Sequence, residues 1–395
     1  MKRDPLALEE SLAELERGLL KRRRATLATL NAAAEWPSVS VDGRRAVDFC
    51  SNDYLALARH PDIAGAMADA AQRHGAGSGA SHLVAGHGVE HQKLEEELAA
   101  FTGRARALLF STGYMANLAV IGALAGRDEV VLLDRLSHAS LIDAAVLSRA
   151  RLKRFAHADA AAAERVLAAS NGTAALVATD GVFSMDGDVA PLVELARVSR
   201  AHQCWLVVDD AHGLGVLGAS GRGLLEECGL DAEAVPVLIG TLGKAFGTFG
   251  AFVAGATDVI ELLLQKARTY RYTTALPQPI AAATRQALAI AAREPWRRER
   301  VLKLARRFSE GARQLSVPVM ASATPIQPVL LGGTARVLRA QEELLAAGFW
   351  VTAIRPPTVP SGGSRLRVAL SAGHSEDQVD ALLEALGRII ARLPP

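Results

Sequence analysis

"ALVATDGVFSMDGDVAPLVELARVSRAHQCWLVVDDAHG", residues 175–213, contains a complete crossover unit. The apolar run at 175–179 ends on Asp180, and "APLVELARVSRAHQ" then places apolar residues three and four apart. "WLVVD" at 205–209 closes the unit on Asp209. This reads as strand, helix, strand. Neither strand alternates apolar with polar residues, as expected where both faces of a sheet are covered.

The same rhythm starts near residue 105. "RALLF" (106–110), "VVLL" (130–133), "VLIG" (237–240) and "AFVAG" (251–255) read as further strands. "MANLAVIGALAG", "SHASLIDAAVLSRA" and "AAAERVLAAS" have helical period. The alternation predicts an α/β fold, with a mostly parallel sheet flanked by helices in a large domain. Ligands of such sheets lie beyond the carboxyl ends of the strands.

Outside this region the pattern differs. After residue 285, Arg-rich helices at roughly 295–314, 335–347 and 375–392 surround "IQPVLL", "FWVTAI" and "RLRVAL", which predicts a smaller α+β domain. A helix is expected over 6–32, with the basic block Lys21–Arg24 near its end. The expected division is therefore an N-terminal helix and extension at 1–50, a large domain at 51–285 and a small one at 286–395. The Pro-containing "RYTTALPQP" at 271–279 is the expected joint.

The chain has 395 residues, long enough to bury a cleft, and Lys+Arg exceed Asp+Glu by only 44 − 42 = 2. No global field would draw it to nucleic acid or to a membrane surface. The N-terminus lacks a signal-peptide pattern, and no window of about 18 residues is uninterruptedly apolar. Cys50, Cys204 and Cys228 lack Cys-x-x-Cys spacing, which suits a reducing cytoplasm.

Three motifs compete for attention. "HGLGVLG" at 212–218 fits G-x-G-x-x-G and follows a strand, so an NAD-dependent oxidoreductase is the alternative reading; the acidic turn and the lack of a following helix weaken it. "HGVEH" at 87–91 matches a zinc-peptidase spacing, but Gly88 interrupts it and no third ligand is evident, so no metal is expected. "GTLGKAFG" at 240–247 misses the P-loop register, having Leu238 and Ala245 where Gly and Ser or Thr would be required.

Lys244 therefore needs another role. Successive strand ends carry Asp209 with His212, Asp180 with Ser184, and Thr241 with Lys244. A helix starting after "FSTGYMANLAV" would present the N–H groups of Gly113 and Tyr114 to a phosphate, and His138 could stack on a flat ring. A phosphate cradle, a strand-end carboxylate and a lysine among glycines together suit pyridoxal 5'-phosphate, whose aldehyde condenses with lysine and whose ring nitrogen is best protonated. The glycines would leave room for the ring.

"SNDYLAL", "DRLSHASL", "DGVFSMDGD", "DDAHGLGVLGASGRG" and "GTLGKAFG" occur in this order. From about residue 8 to the end, the chain resembles the α-oxoamine synthases, acyltransferases of the aspartate aminotransferase-like fold type I. The resemblance implies that Lys244 is the imine lysine and general base, that Asp209 pairs with the pyridine nitrogen, and that His212 bonds the phenolic oxygen. His138 would stack on the ring, while Ser184, Thr241, Gly113 and Tyr114 would contact the cofactor. It also implies a homodimer with shared sites, in which Thr274 of "YTTALPQ" reaches the phosphate of the other copy, although Ala275 and Gln278 depart from the family pattern. Asp180 stands where the family has Glu, and its shorter reach calls for a bridging water.

On the substrate side the resemblance assigns Arg367 to the amino-acid carboxylate, Asn52 to the same side, Arg22 to the acyl group and Thr358 to substrate or cofactor. "AIRPPTVP" at 353–360 points to the member that condenses L-alanine with a pimeloyl thioester, carried by coenzyme A or an acyl carrier protein, in biotin synthesis. The glycine-using members are the alternative within the family, and a non-catalytic binding module is the alternative outside enzymes.

Overall fold

The β-branched runs become strands and the 3.6-period stretches become helices between them. The structure, a computed structural model, describes residues 5–30, 36–170 and 173–394. Residues 53–184 and 188–301 form one unit; residues 1–52, 185–187 and 302–395 form the other.

The larger unit holds a seven-stranded sheet. Its spatial order is Arg106–Phe110, Ala251–Gly255, Val237–Thr241, Trp205–Asp209, Ala174–Asp180, Val130–Asp134 and Arg151–Phe155. Six strands run parallel. Ala251–Gly255 is antiparallel to both neighbours. Leu132, Val177, Val207 and Ile239 are fully buried, and Val120, Leu141 and Ile260 pack from the helices. Burying each such side chain stabilises the fold by about 1.5–3 kcal/mol.

Arg151–Phe155, "RLKRF", has no counterpart in the sequence reading. It is one of the sheet's two edge strands, and only Phe155 of its five residues is fully buried. Charged side chains are a common protection for an exposed edge, and they also erase the apolar signal that marks a strand.

In the smaller unit Ile326–Gly332, Ser364–Ala369 and Thr352–Ile354 form an antiparallel sheet. The helices Thr334–Ala346 and Glu376–Arg392 match the sequence reading. The N-terminal helix does not run over 6–32: it is Pro5–Arg17, and residues 31–32 lie outside the described residues. Gly18 and the left-handed Leu19 (φ 57°) end the helix. The like-charged Lys21–Arg24 then disfavours another turn, and Leu27–Thr29 instead pairs with Ser38–Val41.

The division also differs from the expected one. It falls at residues 301/302, within the helix Trp296–Gln314, and the 271–279 segment lies inside the larger unit. Residues 1–52 do not stand apart, because Arg44–Asp48 pairs in parallel with Phe349–Trp350. A pairing across some three hundred residues leaves no local trace in sequence. Among the described residues no helix is long and apolar enough to cross a membrane.

Candidate active site

Because six strands share a direction, their carboxyl ends open on one edge of the sheet. The chain leaves that edge through Gly113, His138, His157, Ser184, His212 and Lys244. Lys244 Nζ lies 2.9 Å from His212 Nε2, and His212 Nδ1 lies 2.7 Å from Tyr54 Oη. An ammonium can only donate, so Nε2 accepts from it and Nδ1–H donates to the tyrosine. This sets the tautomer of a histidine that is 6% exposed.

Asp209 is 8% exposed, and its charge acts on His138. Asn117 Nδ2 donates to its Oδ2 at 2.7 Å, and Ala211 N–H donates to Oδ1 at 3.1 Å. A buried carboxylate is costly unless a positive group accompanies it, which suits a protonated ring nitrogen. Asn117 also donates to Ser140 Oγ at 2.8 Å. That hydroxyl lies 2.7 Å from His138 Nδ1, which already accepts the Ser140 N–H, so the hydroxyl donates. One chain of bonds thus joins Asp209 to His138.

Asp180 Oδ2 accepts the His138 N–H at 2.9 Å. Burial, and then the charge of Asp209, push Asp180 above the usual carboxylate range. The helix Gly113–Leu124 is capped by Thr112, whose Oγ1 accepts the Met115 N–H. The N–H groups of Gly113 and Tyr114, ahead of that cap contact, have no intrahelical partner. Tyr114 Oη donates to Asp143. Thr241 Oγ1 donates to Gly250 O at 3.3 Å, Ser184 is half-buried, and Thr274 is exposed between Tyr272 and the buried Ala275.

The smaller unit holds the other sequence-selected residues. Both Nη atoms of Arg367 donate to Asn52 Oδ1 at 3.1 Å. Arg22 Nη2 donates to Thr358 Oγ1 at 2.9 Å, and Arg355 Nη2 donates to Lys21 O at 2.8 Å.

Comparison with known proteins supplies the family. Residues 44–386 match the family model described as aminotransferase class I and II. The 8-amino-7-oxononanoate synthase of Methylococcus capsulatus is 60% identical over 348 residues, covering 88% of this chain and 90% of that protein. That of Cellvibrio japonicus is 53% identical over 390 residues, covering 98% and 97%. The chain belongs to the 8-amino-7-oxononanoate synthases.

Solved structures agree. A serine palmitoyltransferase from S. paucimobilis with bound PLP–myriocin aldimine superposes with TM-score 0.92 at 29% identity, covering 98% of each chain. An 8-amino-7-oxononanoate synthase from Francisella tularensis gives TM-score 0.77 at 30% identity, covering 87% of this chain and 97% of that one. The chain is thus a fold type I, pyridoxal phosphate-dependent acyltransferase of biotin synthesis. Its donor set fits the cofactor: a lysine amine, a buried carboxylate and the N–H groups at a helix start share one sheet edge.

For this synthase the glycines need a different account. A Cβ on Gly240 would strike Leu214 and Phe252, and one on Gly247, at φ +65°, would strike the backbone of Leu57 and Ala58. These two let the polypeptide close on itself, whereas a Cβ on Gly243, next to the lysine, would meet only ordinary contacts, Thr248 O at 3.6 Å and Thr241 Oγ1 at 3.9 Å. The dinucleotide pattern dissolves similarly. Gly213 lies against Asp210, Gly215 against Ala245 and Gly218 against Glu226, and only the short helix Leu224–Glu227 follows.

Asp210 is fully buried, and burial pushes its carboxyl up to about 8. Its Oδ2 accepts the Leu224 N–H at 2.7 Å. Gly213→Ala drives a methyl into this carboxyl directly after His212, and we expect a loss of about 2–3 kcal/mol, read as a lowered Tm in thermal denaturation. An unchanged Tm would contradict the packing.

The histidine pair of "HGVEH" does acquire a third neighbour, since His82, His87 and His91 lie together. His91 nevertheless spends both nitrogens on the backbone, one on Leu276 O at 2.6 Å and one on Gly88 N–H at 2.9 Å. The cluster braces the 275–278 segment. Tyr54, Asn117 and Ser140 escaped the sequence reading because ordinary residues acquire these partners only through folding; "SNDYLAL" was the one signal for Tyr54.

Proposed function

We propose that the enzyme condenses L-alanine with a pimeloyl thioester, giving 8-amino-7-oxononanoate, carbon dioxide and free thiol. The observation that carries the acyl half is a pair of guanidiniums. Among the described residues neither Arg22 nor Arg355 meets a carboxylate. Burial, and then the charge of Arg22, hold Arg355 below the ordinary arginine range. Two neighbouring cations without an acid suit the distal carboxylate of a dicarboxylic acyl chain.

Bound pyridoxal phosphate supplies an electron sink for the alanine Cα. Asp209 would keep its ring nitrogen protonated, and Gly113, Tyr114, Ser184 and Thr241 would hold it with His138 on its face. Lys244 takes the Cα proton, with His212 and Tyr54 orienting the amine. Arg367 and Asn52 bind the amino-acid carboxylate until it leaves. Cα bonds to the thioester carbonyl as the thiolate departs, the Cα–carboxylate bond breaks to release carbon dioxide, and Lys244 returns the proton.

The reading includes a homodimer. Leu83 (47%), Val84 (81%) and Tyr272 (66%) are exposed apolar side chains that support a second copy, whose phosphate Thr274 would reach. The exposed run Lys21–Arg24 suits an anionic carrier, coenzyme A or an acyl carrier protein. Three free cysteines support a cytoplasmic location.

The test is a panel of acetyl, succinyl and pimeloyl thioesters with glycine or alanine, scored by product. Alanine with pimeloyl thioester should turn over fastest, and faster turnover of glycine with a shorter acyl group would overturn the assignment. Arg355→Gln should raise KM for pimeloyl thioester on the order of thirtyfold, while leaving KM for an uncharged acyl thioester within about twofold.

A further inference from the structure

His157 was not selected by any sequence motif. It follows the edge strand Arg151–Phe155 and precedes the helix Ala160–Ala168. Its Nδ1 lies 2.9 Å from Asp134 Oδ1, and its Nε2 lies 2.7 Å from Asp188 Oδ2. Its ring meets Phe183 edge-on, with centroids 4.4 Å apart and planes at 87°.

Each carboxylate organises a different loop of the site. Asp134 ends its strand, and its Oδ1 also accepts the Leu136 N–H at 2.8 Å, while Oδ2 accepts the Ala158 N–H at 2.8 Å. Asp134 O accepts the Ser137 N–H, so the turn that delivers His138 is wound around this residue. Asp188 O accepts the Phe183 N–H at 2.9 Å and closes the turn that carries Ser184. Val182 and Val189 form a bridge behind it.

We infer that His157 is a positioning residue: as an imidazolium donating to Asp134 and Asp188, it clamps the His138 turn to the Ser184 turn and so holds the cofactor pocket in register. The inference rests on the reading that His138 and Ser184 contact the cofactor. The chemistry requires a cation. A neutral imidazole has one N–H, so one nitrogen would set a lone pair against a carboxylate; only the doubly protonated ring satisfies both partners.

The electrostatics agree. The two carboxylates, Asp134 first, raise His157 from 6.5 to about 9. Phe183, whose ring meets it edge-on, is uncharged. For a group raised on folding, the stabilisation is complete below the unfolded value near 6.5 and is lost as pH rises through about 9. The clamp is therefore closed at neutral pH and opens under alkaline conditions.

The experiment measures cofactor dissociation from the holoenzyme by equilibrium dialysis between pH 7 and 10, alongside kcat and KM, for wild type, His157→Gln and His157→Arg. Wild type should release cofactor more readily as pH passes about 9. His157→Gln should bind it on the order of tenfold more weakly at pH 7.5, with kcat/KM reduced by a similar factor, and should lack that rise. His157→Arg, which keeps the charge, should recover retention and stay flat to pH 10. A His157→Gln protein with the wild-type profile would overturn the inference.

Should that variant fail to fold, the 15N imidazole spectrum of wild type decides. A His157 signal titrating near 6.5 rather than near 9 refutes the clamp. His138→Ala separates the two levels of the argument. If it weakens cofactor binding while His157→Gln does not, only the clamp fails; if it leaves cofactor binding unchanged, the role given to His138 fails.

Discussion

Lys244→Ala yields a folded protein that lacks the yellow colour of the wild-type holoenzyme and loses about four orders of magnitude or more in kcat/KM. The expectation follows from position. Lys244 Nζ sits 2.9 Å from His212 Nε2 on the edge where six strands end. None of those strand-end loops presents another primary amine there, so no neighbour can take over its proton transfer. The deficit should appear in exchange of the alanine Cα proton into deuterated water as strongly as in product formation. Exchange within about tenfold of wild type would assign the base elsewhere. Circular dichroism should match wild type, because Lys244 is half-buried in a loop and fills no core.

Asp209→Ala should cost about three orders of magnitude in kcat/KM, with a smaller effect on KM for alanine, because charge stabilisation aimed at a developing carbanion acts mainly in the transition state. Asp180, one strand away, cannot substitute. Burial, and then the Asp209 charge, push its carboxyl up, whereas Asn117 and the Ala211 N–H both donate to Asp209. Asp209→Glu should recover part of the loss. Kinetics for Asp209→Ala within tenfold of wild type would remove the residue from the mechanism.

What was legible beforehand follows from burial. Val130–Asp134, Trp205–Asp209 and Val237–Thr241 are covered on both faces, so their sequences are apolar throughout and announce themselves. Arg151–Phe155 carries charge because it is an edge, and with it the reading missed His157. The residues at the strand ends were legible because a parallel sheet places all its carboxyl ends together. The partnership of Tyr54 with His212 spans 158 residues and was not. The glycines around Lys244 were read as space for a ligand, but at Gly240 and Gly247 the neighbouring atom is the protein's own. Sequence shows that a side chain is absent; only the fold shows what took its place.

The single antiparallel strand of the seven-stranded sheet, Ala251–Gly255, has a mechanical consequence. The chain leaves the sheet at Thr241, presents Lys244, and re-enters through the adjacent strand, with Leu242 N–H bonded to Gly250 O and Thr248 N–H bonded to Leu242 O. The lysine thus stands on a short arch with both feet set in neighbouring strands. Moving the arch would mean peeling apart two paired strands, so in the proposed mechanism the travel between holding the cofactor and reaching for a proton is left to four rotatable methylenes. The backbone there is a fixed post, and the moving part of the arch is one side chain.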